Sequence, residues 1–125
     1  MSDFYLGKQS RERLIGVHPD IPIVLSVAIT ITTIDFTVIE GVRTVERQRT
    51  LVASGASQTM DSRHITGDAV DIAPWVDGTV RWDWPLFYIL EEAMKKAIAR
   101  TRIPLEWGGD WTSFKDGPHW QRPRT

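Results

Sequence analysis

The feature of this 125-residue chain that most constrains its fold is an apolar stripe between Asp83 and Arg102. Apolar residues recur there at intervals of three and four, the spacing that places side chains on one face of an α-helix. We therefore expect one long helix that covers a single core, and Pro104 ends it. The stripe consists of Leu86, Leu90, Ala93, Met94, Ala97 and Ile98.

The rest of the chain predicts shorter elements in an irregular order. A first helix is expected over Ser10–Val17, with Ser10 as its N-cap, and another from Thr44 as N-cap to about Ser54. The segment Asp20–Thr32 is rich in β-branched residues, but its apolar spacing favours a helix. Because helices and short strands do not alternate regularly, the sequence favours an α+β fold. Strands are expected at 36–41, 69–75, 105–111 and 117–121.

Composition limits the classes of function. Fifteen basic and sixteen acidic residues give a net charge of -1, which argues against nucleic acid and anionic membranes as partners. Only Arg43, Arg47 and Arg49 cluster enough to suggest a local basic patch. The most apolar stretch, 21–34, is too short to span a bilayer, and the polar N-terminus does not resemble a secretory signal. With no cysteine, neither disulfides nor thiolate metal ligands are available.

Two histidines carry acids at short fixed offsets. His64 precedes Asp71 by seven residues, with Gly67 between them to turn the backbone, and Asp116 precedes His119 by three. Catalytic zinc usually takes three protein ligands from His, Asp and Glu, and a further carboxylate can accept a proton from its water. The two pairs supply that inventory, although such a pair is more often a structural hydrogen bond. The third histidine, His18, is expected to be a cap or a surface residue.

Three motifs resemble those of the VanY-like peptidoglycan peptidases. The stretch "SRHITGDAVD" at 62–71 fits the pattern S-x-H-x-x-G-x-A-x-D of that family. The stretch "EWGGDWTSFKDGPHWQ" at 106–121 resembles its second motif, and "IEGVRT" at 39–44 is similar to its arginine-bearing strand end. The short length and the forms "GGDW" and "DGPHW" are most similar to phage endolysins of the L-alanyl-D-glutamate peptidase type.

The resemblance implies a role for each matching residue. It makes His64, Asp71 and His119 the ligands of one Zn²⁺, Asp116 the general base and Arg43 the cation that stabilises the oxyanion. It also implies an α+β fold with a small antiparallel sheet flanked by helices, as in hedgehog domains and D-Ala-D-Ala peptidases. Many relatives have glutamate at the base position, but the endolysin branch shares the aspartate found here.

Other residues near the motifs receive weaker assignments. Ser62 is expected to support the metal ligands or to bind substrate. Trp111 and Trp120 flank the second motif and are expected to line a substrate groove, with core packing as the alternative. Asp68 lies three residues from Asp71 and hence on the other side of a strand, so we expect a structural turn or salt-bridge acid. We also expect a structural role for Asp110.

The resemblance further implies a zinc peptidase that cleaves the L-alanyl-D-glutamate bond of peptidoglycan stem peptides. Two alternatives stay open: a D-alanyl-D-alanine carboxypeptidase or dipeptidase, and a non-catalytic zinc-stabilised binding module. We expect residues 1–125 to form one peptidase domain without a separate wall-binding domain, active as a monomer. Synthesis in the host cytoplasm and action at the periplasmic wall would then require a holin-type pore in the membrane.

Overall fold

The structure is a computed structural model that describes residues 3–57 and 59–124. It confirms an α+β fold with a small antiparallel sheet and flanking helices. Among the described residues, no helix is long and apolar enough to cross a membrane. The helices are α1 (Lys8–Arg13), α2 (Asp20–Ile31), α3 (Val45–Ala53) and α4 (Trp84–Thr101), with a 3₁₀ turn at Gly108–Asp110. The strands are β1 (Phe36–Glu40), β2 (Ala69–Val76), β3 (Thr79–Val80), β4 (Glu106–Trp107) and β5 (His119–Gln121).

The strands pair in the order β1-β2-β5-β4, and every pairing is antiparallel. The sequence did not predict β3, which pairs with the end of β2 through a tight turn at Asp77 and Gly78. Both turn residues have positive φ angles, 52° and 78°, as hairpins with a two-residue loop require. β2 is therefore the central strand, paired with β1 on one side and β5 on the other.

The core lies between the sheet and the two longest helices. α2 and α4 pack against each other, α4 also contacts β2, and α1 packs on β1. The predicted stripe on α4 is buried at its centre, whereas Leu86 and Ile98 at its ends are only half-buried. Phe87, which the stripe did not include, is buried in their place. The strands contribute alternate side chains to this core, among them Val38, Val70, Ile72 and Trp120.

The first helix differs most from its prediction. Ser10 does not cap a helix, because α1 begins at Lys8 and Ser10 lies within it, buried. Its hydroxyl instead accepts a hydrogen bond from the amide of Val38 (2.9 Å) and pairs with the hydroxyl of Thr37 (3.1 Å). The Ser10 hydroxyl therefore bonds to β1 and does not cap a helix. The residues after Arg13 form turns, so the helix is shorter than predicted.

Other local predictions are confirmed. The Thr44 side chain accepts the amide hydrogen of Arg47 and caps α3, and α2 covers its predicted range to within one residue. Gly67 has a φ of 78°, and its carbonyl accepts the amide of His18. A side chain at Gly67 would also approach the carbonyl oxygen of Gly16 to 2.8 Å. The turn between His64 and Asp71 therefore depends on glycine in both conformation and space.

Trp120 does not line a substrate groove, as one prediction had it, but lies in the core. Its side chain is 1% exposed and stacks on Trp107, with ring centroids 5.8 Å apart. The physical reason is the alternation of side chains along a strand. His119, the preceding residue of β5, lies beside Asp71 on one face, so Trp120 must lie on the other.

We predict that Trp120→Ala lowers the free energy of unfolding by about 3–5 kcal/mol, since it deletes a fully buried aromatic side chain. Urea denaturation with chelator present measures the change without any contribution from bound metal. Trp82→Ala is the matched control, because Trp82 is 60% exposed, and its effect should stay within about 1 kcal/mol. Equal stability losses in the two variants would contradict the core placement of Trp120.

Candidate metal centre

A row of polar side chains crosses the sheet at one end of β2. Asp71 pairs directly with His119 of β5 on one side and with Glu40 of β1 on the other. The β1 register shifts between Val38 and Glu40, a bulge that brings Glu40 opposite Asp71. Bulges commonly re-aim a side chain in this way near functional sites. Hydrogen bonding of the sheet therefore brings together residues that lie far apart in the sequence.

His64 reaches the same point from the loop before β2 and is almost completely buried. Its Nδ1 lies 2.9 Å from the carbonyl oxygen of Gly41. A carbonyl oxygen only accepts hydrogen bonds, so Nδ1 carries the proton and Nε2 of the neutral ring presents a lone pair. That Nε2 atom lies 3.1 Å from Oδ1 of Asp71 and 3.2 Å from Nδ1 of His119.

In His119 the two ring nitrogens have exchanged roles compared with His64. Its Nε2 lies 2.8 Å from Oε1 of Gln121, and the amide nitrogen of Gln121 donates to Glu106 (3.4 Å). The contact with Glu106 directs the oxygen of Gln121 towards His119, so Nε2 donates and Nδ1 has the lone pair. Nδ1 lies 3.3 Å from Oδ1 of Asp71. Partners on the far side of each ring thus orient both imidazoles, as is usual for metal-binding histidines.

These three atoms fit a metal ion. Their mutual distances of 3.1, 3.2 and 3.3 Å make a nearly equilateral triangle. Bonds of about 2.0–2.1 Å in a tetrahedral site imply edges of about 3.3–3.4 Å between neighbouring ligand atoms. Two imidazole lone pairs and a carboxylate oxygen repel each other when no cation or proton lies between them. His64, Asp71 and His119 are accordingly a group that can hold a metal ion.

The ionisation of this group follows from its burial and contacts. Burial raises the pKa of Asp71, but the hydrogen bonds and positive charge that His119 and His64 supply in their protonated forms outweigh it and leave the pKa far below its ordinary value. Burial lowers the pKa of His119, but the hydrogen bond and charge of Asp71 outweigh it, so that pKa is raised. Without metal, a proton on Nδ1 of His119 therefore relieves the repulsion between the lone pairs. Proton and metal compete for the same atom.

Asp116 enters the site on the loop before β5. Its amide donates to the carbonyl of Gly108 (3.1 Å), and its own carbonyl accepts the amide of His119 (3.3 Å). A Cβ atom at Gly108 would approach the carbonyl oxygen of Asp116 more closely than any real contact allows, and Cβ of His119 to 3.1 Å. Glycine in the "WGGD" stretch thus lets the chain pass close behind Asp116 and His119.

Asp116 has a raised pKa. Burial is the largest cause and the negative charge of Asp71 adds to it, while the charges of His119, His64 and Arg43 oppose the rise. Asp116 thus interacts electrostatically with all three candidate ligands and with Arg43. A carboxyl group whose pKa moves towards neutrality is better suited to exchange protons than an ordinary aspartate.

Arg43 follows β1 and is held on several sides. Its Nε and Nη2 donate to the two carboxylate oxygens of Glu40 (2.7 and 2.8 Å), and Nη1 donates to Gln48 (2.8 Å). Nη2 also lies 3.8 Å from Oδ2 of Asp71. Burial lowers the pKa of Arg43, but the hydrogen bond and charge of Glu40 outweigh it and the pKa is raised. A fixed positive charge therefore lies beside the candidate metal ligands.

Gln48 is a residue that the sequence analysis missed. It is completely buried on α3, accepts from Arg43, and donates to Ser57 (2.8 Å) and to the carbonyl of Thr59. It therefore joins the guanidinium to the loop that follows α3. The sequence contains no signal for this role, because it does not show that a glutamine on a polar helix is buried.

The site opens into a cavity of about 660 Å³, within the range of small-ligand sites. Ser62, Trp111 and Phe114 line it together with the candidate ligands, Asp116 and Arg43. The ring of Trp111 lies 5.1 Å from that of His119, and Oγ of Ser62 accepts the amide of His64 (3.2 Å). Of the two tryptophans expected to line a groove, only Trp111 does so.

The remaining acids and His18 lie where the sequence predicted. Asp68 accepts hydrogen bonds from Thr66 (2.6 Å) and Arg122 (2.8 Å) and takes no part in the ligand triangle. Asp110 forms an exposed ion pair with Lys95 (3.2 Å). The half-buried His18 accepts the amide hydrogen of Asp20 (3.1 Å), the first residue of α2. These three positions have the structural roles expected of them.

Fold and site together define a class. A small antiparallel sheet presents two buried histidines and an aspartate, with a further carboxylate and a guanidinium around one cavity. This arrangement is consistent with a metallopeptidase.

Comparisons with known proteins give the family. The model of the phage L-alanyl-D-glutamate peptidase family matches residues 1–121, and the chain belongs to that family. It is 36% identical over 117 residues to the L-alanyl-D-glutamate peptidase of Escherichia phage T5, covering 90% of this chain and 85% of that protein. It is 42% identical over 89 residues to the L-alanyl-D-glutamate peptidase of Listeria phage A118, covering 70% of this chain but 30% of that protein.

A solved structure is similar over almost the whole chain. The crystal structure of the Serratia marcescens L-Ala D-Glu endopeptidase ChiX superposes with a TM-score of 0.90 at 40% identity. The match covers 98% of this chain and 92% of that one. The predicted family and fold are therefore both confirmed.

We predict that affinity for a divalent transition metal falls as the pH is lowered. Because the pKa of metal-free His119 is raised above 6.5, its protonation opposes binding from a higher pH than an ordinary histidine would. Absorbance titration with Co²⁺ should show affinity falling by up to about tenfold per pH unit below that pKa. His18→Ala is the control and should leave this dependence unchanged. Affinity that stays constant between about pH 8 and about pH 6 would contradict the prediction.

Proposed function

We propose that this protein is a zinc-dependent endopeptidase that hydrolyses the L-alanyl-D-glutamate bond of peptidoglycan stem peptides. The observation that carries the proposal is the nearly equilateral triangle of His64, Asp71 and His119 beside Asp116 and Arg43, in a chain of this family. The names of the relatives from phage T5 and of ChiX support the choice of bond. Two nitrogen ligands and one carboxylate suit zinc, although other divalent first-row ions accept the same set.

The proposed mechanism assigns each residue a physical task. His64, Asp71 and His119 would hold the zinc ion, which would supply Lewis acidity and make water a stronger acid at the site. Asp116, whose pKa burial has raised, accepts the proton of the attacking water and later delivers it to the leaving amine. Arg43, fixed by Glu40 and Gln48, stabilises the negative charge that develops on the carbonyl oxygen. Ser62 holds the backbone at His64 and so supports the ligand geometry.

Asp116 and Arg43 favour an enzyme over a binding module. A module that used the metal only for stability would gain nothing from a half-buried carboxylate with a raised pKa. It would also gain nothing from a buried guanidinium fixed beside the ligands.

We predict that Asp116→Ala keeps the metal but loses hydrolysis by a factor of about 10²–10⁴, the usual contribution of a general base. Metal content by elemental analysis and release of stem-peptide fragments by mass spectrometry measure the two effects separately. Asp110→Ala is the matched control, since Asp110 lies in the neighbouring turn and pairs only with exposed Lys95 among the described residues. Retained hydrolysis in Asp116→Ala would refute the assignment of the base.

His64→Ala tests the ligand assignment in the opposite way. The variant should lose both metal and hydrolysis, because removal of one corner of the triangle leaves two ligands. EDTA should likewise abolish hydrolysis by the native protein, and added Zn²⁺ should restore it. Full activity in EDTA would refute metal dependence. Products cleaved at another bond of the stem peptide would refute the proposed specificity.

We propose further that the protein acts as a phage endolysin in host lysis. It would be made in the host cytoplasm, act as a monomer, and reach the periplasmic wall through a holin-type membrane pore. Expression in a Gram-negative host with and without a pore-forming protein tests this, and lysis is expected only with the pore. Rapid lysis without a pore would argue against the proposed route.

A further inference from the structure

Three arginines line the cavity, and two of them are largely buried and held by neighbouring groups. Arg43 is bound by Glu40 and Gln48, as described above. Arg63 is 17% exposed, lies 3.6 Å from Asp68 and donates to the carbonyl of Arg122 (3.3 Å). Its Nε is buried and has no partner among the described residues, so a ligand in the open cavity does not reach that atom. Arg43 is thus assigned to the developing oxyanion, and Arg63 is largely buried and held by Asp68 and the backbone, which leaves the third arginine for a further anion of the substrate.

Arg124 differs from both. Its side chain is 54% exposed, lines the cavity, and within residues 3–57 and 59–124 forms ion pairs and hydrogen bonds only with Asp61. Both contacts use the same atom, Nη2, which lies 3.2 Å from the Asp61 carboxylate and 3.4 Å from its carbonyl oxygen. Nε and Nη1 of Arg124 therefore have no hydrogen-bond partner in the described part of the chain. Asp61 is itself 81% exposed, and exposed ion pairs of this kind are weak.

The proposed substrate has an anion that needs such a partner. Glutamate has two carboxyl groups, and a peptide chain continues through only one of them. A D-glutamate residue acylated by L-alanine therefore keeps one free carboxylate close to the scissile bond. A planar guanidinium binds a carboxylate best through two adjacent donors. In Arg124 both such pairs, Nη2 with Nε and Nη2 with Nη1, include the atom that contacts Asp61.

We propose that Arg124 is a specificity-determining residue that binds the free carboxylate of the D-glutamate on the leaving side of the scissile bond. The inference rests on the proposed function and deepens it. Arg124 leaves Asp61 when substrate enters, and the substrate carboxylate takes the place of the Asp61 carboxylate. Asp61 is a competitor for the guanidinium and holds it at the mouth of the cavity in the free protein.

The test compares two synthetic stem peptides, one with the free carboxylate and one with that carboxylate converted to the amide. The native protein should prefer the free acid. Arg124→Gln should lower kcat/KM for the acid by about tenfold, mainly through KM, and change kcat/KM for the amide by less than about twofold. Arg49→Gln is the matched control, because Arg49 is an exposed arginine on α3 outside the cavity. It should leave both substrates unaffected.

Asp61→Asn separates substrate binding from a structural role. If Arg124 binds substrate, removal of its competitor should lower KM for the acid. If the ion pair only fastens the C-terminal segment to the loop at 59–62, Asp61→Asn and Arg124→Gln should impair both peptides equally, and the proposal is overturned. Cleavage of both peptides by Arg124→Gln with the native preference would also overturn it. Failure of the native protein to cleave either peptide would instead refute the proposed function, and this inference with it.

Discussion

Antiparallel pairing of β2 with its two neighbours is the constraint on which the site depends. It places Glu40, Asp71 and His119 in one row across three strands. Glu40 fixes the guanidinium of Arg43, and Asp71 and His119 provide two corners of the ligand triangle. A shift of one residue in either register would turn these side chains towards the helices. The apolar residues on the core face, which hold the register, therefore also determine the geometry of the chemistry.

The triangle of His64, Asp71 and His119 is electrostatically unfavourable when both imidazoles are neutral and no metal ion lies between them. His64 and His119 each direct a lone pair at Oδ1 of Asp71, because a fixed acceptor holds the proton on the far side of each ring. The core keeps these groups in place although they repel. This is preorganisation, since the cost of bringing the ligands together is met during folding and not at metal binding. The pKa of His119 is raised because the hydrogen bond and negative charge of Asp71 favour the protonated ring.

The sequence predicted which side chains meet at the candidate site better than it predicted the contacts that support them. His64, Asp71, Asp116 and His119 stood out because histidine and aspartate at these offsets are the residue types that metal catalysis needs. Apolar periodicity also located α2 and α4, and the Thr44 cap located α3. Gln48 was missed because its role depends on three contacts that only the tertiary fold creates.

Two errors had different physical origins. Ser10 was misread as a cap because a sequence does not reveal which hydroxyl will meet a neighbouring strand. Trp120 was placed in a groove although the alternation that correctly set Asp68 apart from Asp71 excludes it. Once His119 is assigned to the metal, its neighbour on the strand must face the core.

One side of the cavity is built by the sheet and the other by exposed segments. The candidate catalytic residues and the residues that could select the substrate therefore lie on different parts of the fold. The candidate ligands Asp71 and His119 lie on strands, and His64 is buried on the loop before β2, so the core restricts the movement of all three. Trp111, Phe114 and Arg124 lie on exposed segments that line the same space without contributing to the sheet. Changes in those segments alter what fits the cavity and leave the ligand triangle intact. Residues that determine substrate specificity should therefore be sought at the mouth of the cavity, away from the sheet that carries the candidate ligands.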